Sequence, residues 1–397
     1  MNVRTILTNI VSFVTPKMHA TRQKAVTDCV YSLANGSTAT VTNIGRGIDS
    51  AAYEKHSIKR ADRLLSNANL LREKTLVYGA VCRLFCTAKH PTISIDWSDL
   101  DECKRHFLLR AALSFDGRSI TLYEEVHPLS TKEKSATHKL FLQTLSLLLP
   151  VDCKPVIVTD AGFKTPWFRQ IEALGWYFVG RVRKPNFYST DKGAQWQCIS
   201  QLYTKASQRP KQYQAAIARS SPFACTLTLY KQKAKGRHAL NADGSIKASK
   251  TSQSNARANT DPWLLASNLP QPYRHGKKVV AIYRQRMQIE ESFRDMKSTQ
   301  FGLGFEQNCT SKLNRLSILL LLANLASLAL ILLGVGVTVA QKHWQFQANT
   351  EREKRVLSFH TLGLRSIAKR VKLTVKQWRD TLHHCIHLLD TTSCSII

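Results

Sequence analysis

Apolar residues recur at three- and four-residue intervals around Ala25 to Leu33 and again from Ile58 to Leu71, a spacing that predicts a helical region over residues 1–88. From Pro91 the period falls to two. T-I-S-I-D-W, F-L-L-R-A-A-L-S-F and S-I-T-L-Y-E-E-V read as strands, the last two joined across the turn pair Asp116, Gly117. A helical stretch from Ala136 to Leu149 follows, then the run P-V-I-V-T-D, a short helix opened by Thr165 and Pro166, and the strand W-Y-F-V-G-R-V-R. Three meandering strands followed by strand–helix alternation predict an α/β fold, a mixed sheet covered by helices. That rhythm breaks from about 184 to 274. The stretch is rich in Lys, Ser, Gln and Asn, holds the strand-like F-A-C-T-L-T-L-Y and a loop-like tract from Asn241 to Thr260, and reads as a β-rich insertion. A helix over Tyr283 to Lys297, a long apolar helix, and a basic helical tail with Arg365, Lys369 and Lys372 complete the chain, with no internal repeat.

The apolar helix is the one segment with two physical readings. Leu316 to Ala340 carries no charge and is long enough to cross a bilayer. Asn324, Ser327, Gly334 and Gly336 interrupt it, no second span accompanies it, and the basic residues on both flanks (Lys312 with Arg315, Lys342 with His343) give no orientation. A helix buried on all sides is the reading favoured here, with no membrane partner.

Charge changes the picture more than composition does. The 397 residues hold 57 Lys plus Arg against 27 Asp plus Glu, a net charge of +30, which points to a polyanionic partner. Between Arg181 and Arg257 there are 15 basic residues and only two acidic ones, Asp191 and Asp243. In the N-terminal region Lys55, Lys59 and Arg63 repeat every four residues, with His56 and Arg60 beside them, a basic helical stripe suited to a DNA groove. Internal pairing through Glu54 and Asp62 is the competing explanation. The ten cysteines lack the spacing of a disulfide framework and the N-terminal residues lack the basic, apolar, small-residue order of a secretion signal, so a cytoplasmic location is expected. Cys82, Cys86 and His90, and the group His383, His384, Cys385 and His387, have spacings a zinc ion could use, although buried thiols and a polar helix face explain them as well.

The chemistry-bearing residues are acidic. Asp96 is expected to end the first strand and Asp160 the later run V-I-V-T-D, so both carboxylates could meet at neighbouring strand tips; Asp99, Asp101 and Glu102 compete with Asp96. In the segment Y-R-Q-R-M-Q-I-E-E-S-F-R-D-M-K, the residues Tyr283, Arg286, Glu290 and Lys297 would line one stripe of a single helix. Three carboxylates from separate elements can hold two divalent cations roughly 3.5–4 Å apart for an in-line displacement at phosphorus, with cations at hand to grip phosphate oxygens. Magnesium suits such hard oxygen donors.

Several longer words carry a resemblance. H-S-I-K-R-A-D-R-L-L-S-N from His56, I-D-W-S-D from Ile95, G-R-S-I-T-L-Y-E from Gly117, V-T-D-A-G-F-K-T-P-W from Val158, P-W-L-L-A-S-N-L-P from Pro262, the Y-x2-R-x3-E-x6-K pattern from Tyr283 and F-Q-A-N-T from Phe346 resemble the bacterial insertion-sequence transposases of the family numbered four, a cut-and-paste group of DDE transposases. The likeness runs nearly end to end and loosens after Phe359. It implies an RNase H-like catalytic domain over 89–315, a helical domain over 1–88 that reads the terminal inverted repeat, and a helical C-terminal region over 316–397. It implies that Asp96, Asp160 and Glu290 are catalytic and bind Mg²⁺, with Mn²⁺ able to substitute. Tyr283, Arg286 and Lys297 would then contact the transposon end and Trp263 would stack on an extruded base. It also implies excision through a hairpin, joining of the 3′ ends to target DNA and a homodimer on paired ends; host DNA-bending proteins are a further candidate partner. A silent relative that only occupies inverted repeats as a repressor is the alternative.

Overall fold

The computed structural model describes residues 1–191, 193–232, 240–241, 243–250, 252–253, 261–270, 275–351 and 353–392. The helical N-terminal periodicity becomes α1 (Val3–Val14), α2 (Ala20–Ala34), α3 (Val41–Arg46), α4 (Glu54–Leu65) and α5 (Ala68–Phe85). Asn2, Thr40 and Asn67 start α1, α3 and α5 with side chains that accept from backbone N–H groups in the first turn, as capping residues should. The alternating segment becomes β1 (Thr92–Asp99), β2 (His106–Phe115) and β3 (Arg118–Pro128), an antiparallel meander in the order β3-β2-β1. The β2–β3 turn has Asp116 at φ 37° and Gly117 at φ 82°, the positive values that a two-residue hairpin loop needs. After α6 (Ser135–Leu148) come β4 (Val156–Thr159), α7 (Thr165–Ala173), β5 (Tyr177–Val182), β6 (Phe187–Ser189), β7 (Gln197–Cys198), α8 (Ser200–Tyr203), β8 (Lys211–Ile217), β9 (Phe223–Tyr230) and β10 (Trp263–Ser267). Then come α9 (Gly276–Arg284), α10 (Met287–Lys297), α11 (Leu313–Val339), α12 (Phe359–Ala368) and α13 (Val375–Thr392).

The chain divides into two compact units, one of residues 1–155 with 285–397 and one of 156–284. These seams differ from the expected partition at 88 and 315, which is a division by role. In the first unit the apolar helix α11 packs against α2, α5, α12, α13 and β3. It is long and apolar enough to cross a membrane, yet 89% of its most apolar stretch is buried inside the protein, as a central core helix would be. Its interruptions have structural uses. A Cβ on Gly334 would lie 1.9 Å from the Phe359 carbonyl oxygen and one on Gly363 2.1 Å from that of Leu330, so α11 and α12 meet backbone to backbone. Asn324 donates to the Glu124 carboxylate, which also accepts from Tyr78 Oη (2.9 Å) and Arg110 Nε (2.8 Å). Arg110 and Glu124 are both 2% exposed, and this closed set of donors keeps that buried ion pair satisfied.

The second unit is built on a mixed sheet in the order β4-β5-β10-β9-β8-β6-β7, with β4 and β5 parallel and the other pairs antiparallel. The segment expected to be an insertion therefore extends this sheet, because β10 pairs with β5 on one side and β9 on the other. Of the loop-like tract 241–260, residues 242, 251 and 254–260 lie outside the described residues. Helix α7 seats Phe168 against β5 where Gly180 leaves room; a Cβ there would lie 2.3 Å from the ring.

Candidate active site

Asp96 lies in β1 opposite Arg110 of β2. The strand continues to Asp99, so Asp96 does not end it as expected: the β1–β2 ladder persists through Asp99 and Phe107. Asp96 is 8% exposed. One carboxylate oxygen, Oδ1, accepts from the following Trp97 amide at 2.9 Å, and Oδ2 meets Arg286 Nη1 at 3.0 Å. The same Nη1 lies 3.1 Å from Glu290 Oε1. Two carboxylates remote in sequence thus converge on one cationic nitrogen. The competing acids are engaged elsewhere. Asp99 faces Lys132 and Lys104, Asp101 accepts from the Arg105 and His106 amides and meets the His106 ring, and Glu102 is exposed.

The segment from Tyr283 to Lys297 is not one helix. α9 ends at Arg284 and α10 begins at Met287, joined by tighter i→i+3 bonds from Gln288 N to Gln285 O (2.9 Å) and Ile289 N to Arg286 O (3.2 Å). Arg286, Glu290 and Lys297 keep a common face on α10, whereas Tyr283 is phased separately on α9. Lys297 Nζ donates to Ser98 Oγ of β1 at 2.7 Å. Burial lowers its pKa, supported by Arg110 and opposed by Asp99, Glu290 and Glu306. The side chains aimed at β1 from α10 are thus two cations and a carboxylate.

Asp160 belongs to the second unit and follows directly on β4, as expected. Its Oδ1 accepts from the Gly162 amide at 2.8 Å, and a Cβ on Gly162 would sit 3.1 Å from that oxygen, so this turn favours glycine. Also in the second unit, Trp263 is half-buried at the start of β10, with its ring 4.8 Å from that of Tyr283 and 5.9 Å from that of Tyr230. Tyr283 is only 4% exposed and serves as a wall of this aromatic group. Arg284 donates to Tyr230 Oη at 2.8 Å and lies over its ring.

In the N-terminal helices Lys55, Lys59 and Arg63 project from α4 as exposed side chains. The acids proposed to neutralise them are turned away, Glu54 to Arg46 (2.9 Å) and Asp62 to Arg315 (2.6 Å). Arg60 is half-buried and paired with Asp28, which also meets Arg4 at 3.3 Å. It anchors α4 from inside the bundle while its neighbours face out.

Among the described residues no three His, Cys, Asp or Glu side chains are gathered as a metal site. In the two zinc-like spacings, burial pushes the Cys385 thiol up to about 12, and a hydrogen bond to Cys82 together with burial raises Cys86. For a hard divalent cation, Asp96 and Glu290 supply suitable oxygens at a point already selected for positive charge. The sequence reading missed the surroundings of Asp96. Trp97 Nε1 donates to His138 Nε2 at 3.1 Å, and Ser98 receives Lys297; both lie inside the word I-D-W-S-D, but nothing in the sequence signals His138.

A family model described as Transposase DDE domain matches residues 87–329. No curated protein matches the chain.

Proposed function

The chain belongs to the DDE transposase family, and from that premise we propose that it is a cut-and-paste transposase of the insertion-sequence family numbered four, nearest in type to the transposase of the tetracycline-resistance transposon ten. It binds the terminal inverted repeats of its own element, excises it through a hairpin and joins the 3′ ends to target DNA. The observation that carries this reading is the meeting of Asp96 and Glu290 at one Arg286 nitrogen. In it, Asp96, Asp160 and Glu290 hold divalent magnesium, for which manganese substitutes. Bound metal supplies the charge that activates an attacking oxygen and stabilises a leaving one.

The protein groups position the strand. Arg286 and Lys297 grip phosphate oxygens beside the scissile bond, and an Arg286 that turns to phosphate releases two carboxylates for the cations. Water is the first nucleophile, and the freed 3′ hydroxyl then attacks the opposite strand to close the hairpin. Each step is a displacement at phosphorus, so orientation and charge stabilisation carry the catalysis. The half-buried Trp263, backed by Tyr230 and Tyr283, offers a flat ring to an extruded base. The exposed stripe on α4 and the basic 184–274 segment bind the ends, two copies pair two ends, and host DNA-bending proteins assist. Region 1–88 reads the repeat, 89–315 cuts, and 316–397 supports DNA or dimer contacts in the cytoplasm.

The test is a labelled transposon end incubated with Mg²⁺ and protein. Wild type is expected to release nicked and hairpin products, whereas Asp96→Asn, Asp160→Asn and Glu290→Gln each shift the band without cutting. Cleavage by any of these variants at a tenth of the wild-type rate or more would remove that residue from the site. Binding by wild type with no product would favour a repressor.

A further inference from the structure

Helix α10 presents three faces, and only two are accounted for by the core and the candidate site. Ile289, Phe293 and Met296 are buried in the core. Arg286, Glu290 and Lys297 face β1. The third face holds Gln288, Glu291, Ser292 and Asp295, spaced by three, four and seven and hence aligned along the helix. All four reach the tip of the β2–β3 hairpin. Gln288 Oε1 accepts from the Phe115 amide at 2.7 Å, and Ser292 Oγ accepts from the Ser119 amide at 3.1 Å while its hydroxyl meets Ser119 Oγ at 2.9 Å. Asp295 takes Arg118 Nε at 2.5 Å, and Glu291 lies 3.7 Å from the same guanidinium. The hairpin tip is itself tied down from the far side, since Asp116 accepts from Arg355 Nη2 at 2.8 Å.

We propose that this polar face is a positioning clamp: Gln288, Ser292 and Asp295 lock α10 to the hairpin tip and so fix the height and rotation at which Glu290 faces Asp96. The inference rests on the reading of Glu290 as a metal ligand. The backbone amides of Phe115 and Ser119 are rigid donors at the end of a buried ladder, so they set the helix along its axis, and the Arg118–Asp295 pair sets its rotation. Gln288 and Ser292 lie two residues either side of Glu290, about 200° around a helix with 3.6 residues per turn, so the clamp grips the side opposite the carboxylate. A slip of one residue here would carry Glu290 away from Asp96. None of the clamp residues touches the reacting atoms; they act through Glu290.

The test uses the full chain with Mn²⁺ alone as probe, read by electron paramagnetic resonance, beside amide hydrogen exchange and thermal unfolding. The variants are Gln288→Met with Ser292→Ala, which removes both acceptors at similar volume, and Gln288→Glu, which keeps an acceptor for the Phe115 amide. The double variant is expected to lose protection at the Phe115 and Ser119 amides and to bind Mn²⁺ at least fivefold more weakly, with an unfolding temperature close to that of wild type. Gln288→Glu is expected to retain both protection and binding. Unchanged Mn²⁺ affinity after loss of that protection would overturn the clamp and leave a structural contact only. Should the double variant fail to fold, Arg118→Lys, which keeps charge and loses the fork on Asp295, is read by Mn²⁺ affinity alone: a severalfold weaker binding supports the clamp and an unchanged affinity overturns it. If Glu290→Gln binds Mn²⁺ as well as wild type does, the reading of Glu290 itself fails instead.

Discussion

His138 shows how the surroundings of Asp96 are tuned by a residue outside any recognisable word. Its ring accepts from Trp97, one position beyond Asp96, and burial, with a smaller push from His127, takes its pKa down to about 4. In the unfolded chain the imidazole titrates at about 6.5. Between these values the unfolded state binds a proton that the folded state refuses, so stability is full above about pH 6.5 and is lost as pH falls toward 4. The loss attributable to this side chain is up to about 3 kcal/mol. Urea unfolding midpoints across this interval should therefore drop more steeply in wild type than in His138→Gln; parallel curves would show that the ring is not the group responsible. Tyr283 and Arg60 mark the limit of reading single residues from sequence. Both carry side chains apt for DNA, and the fold adds what the sequence does not show, a Trp263 ring beside one and an Asp28 carboxylate beside the other. Partners that come from distant segments leave no local trace.

At the scale of elements the sequence was most legible where one period ran unbroken. The meander, the Asp116–Gly117 turn and β4 followed by Asp160 stand where alternation and turn chemistry placed them. Asp96 fell inside β1 because edge residues up to Asp99 still pair, which polarity alone disguises. The joint between α9 and α10 was hidden for a different reason: Arg286 keeps helical φ and ψ, so a 3.6 spacing reads straight through a turn whose hydrogen bonds have shortened. The stripe on α4 was legible because it needs no partner. Removing Lys55, Lys59 and Arg63 together should lower the slope of log affinity against log salt by about 2.7 on duplex ends, near 0.9 for each phosphate no longer neutralised. An unchanged slope in titrations between low and moderate salt would place the recognition surface elsewhere.

For the whole molecule, charge foretold a polyanion and apolarity foretold a buried helix, but neither foretold how the chain is parcelled. The first unit takes residues from both ends of the sequence because α11 packs with the N-terminal helices and β3, while α12 and α13 pack on α11 and α13 also meets β2. The second unit is continuous because β10 returns to pair with β5 and converts an expected insertion into sheet. Asp96 and Glu290 lie in the first unit and Asp160 in the second, so the proposed catalysis requires carboxylates contributed by both. Iron-directed cleavage of the polypeptide tests that requirement most directly. With Fe²⁺ in place of Mg²⁺ on an end-bound complex, and ascorbate and peroxide added, radicals formed at the metal cut the nearby backbone. Cuts clustered around residues 96, 160 and 290, and suppressed by excess Mg²⁺, are the predicted result. Cuts that leave the vicinity of 160 intact, or that persist in Glu290→Gln, would contradict a shared metal site.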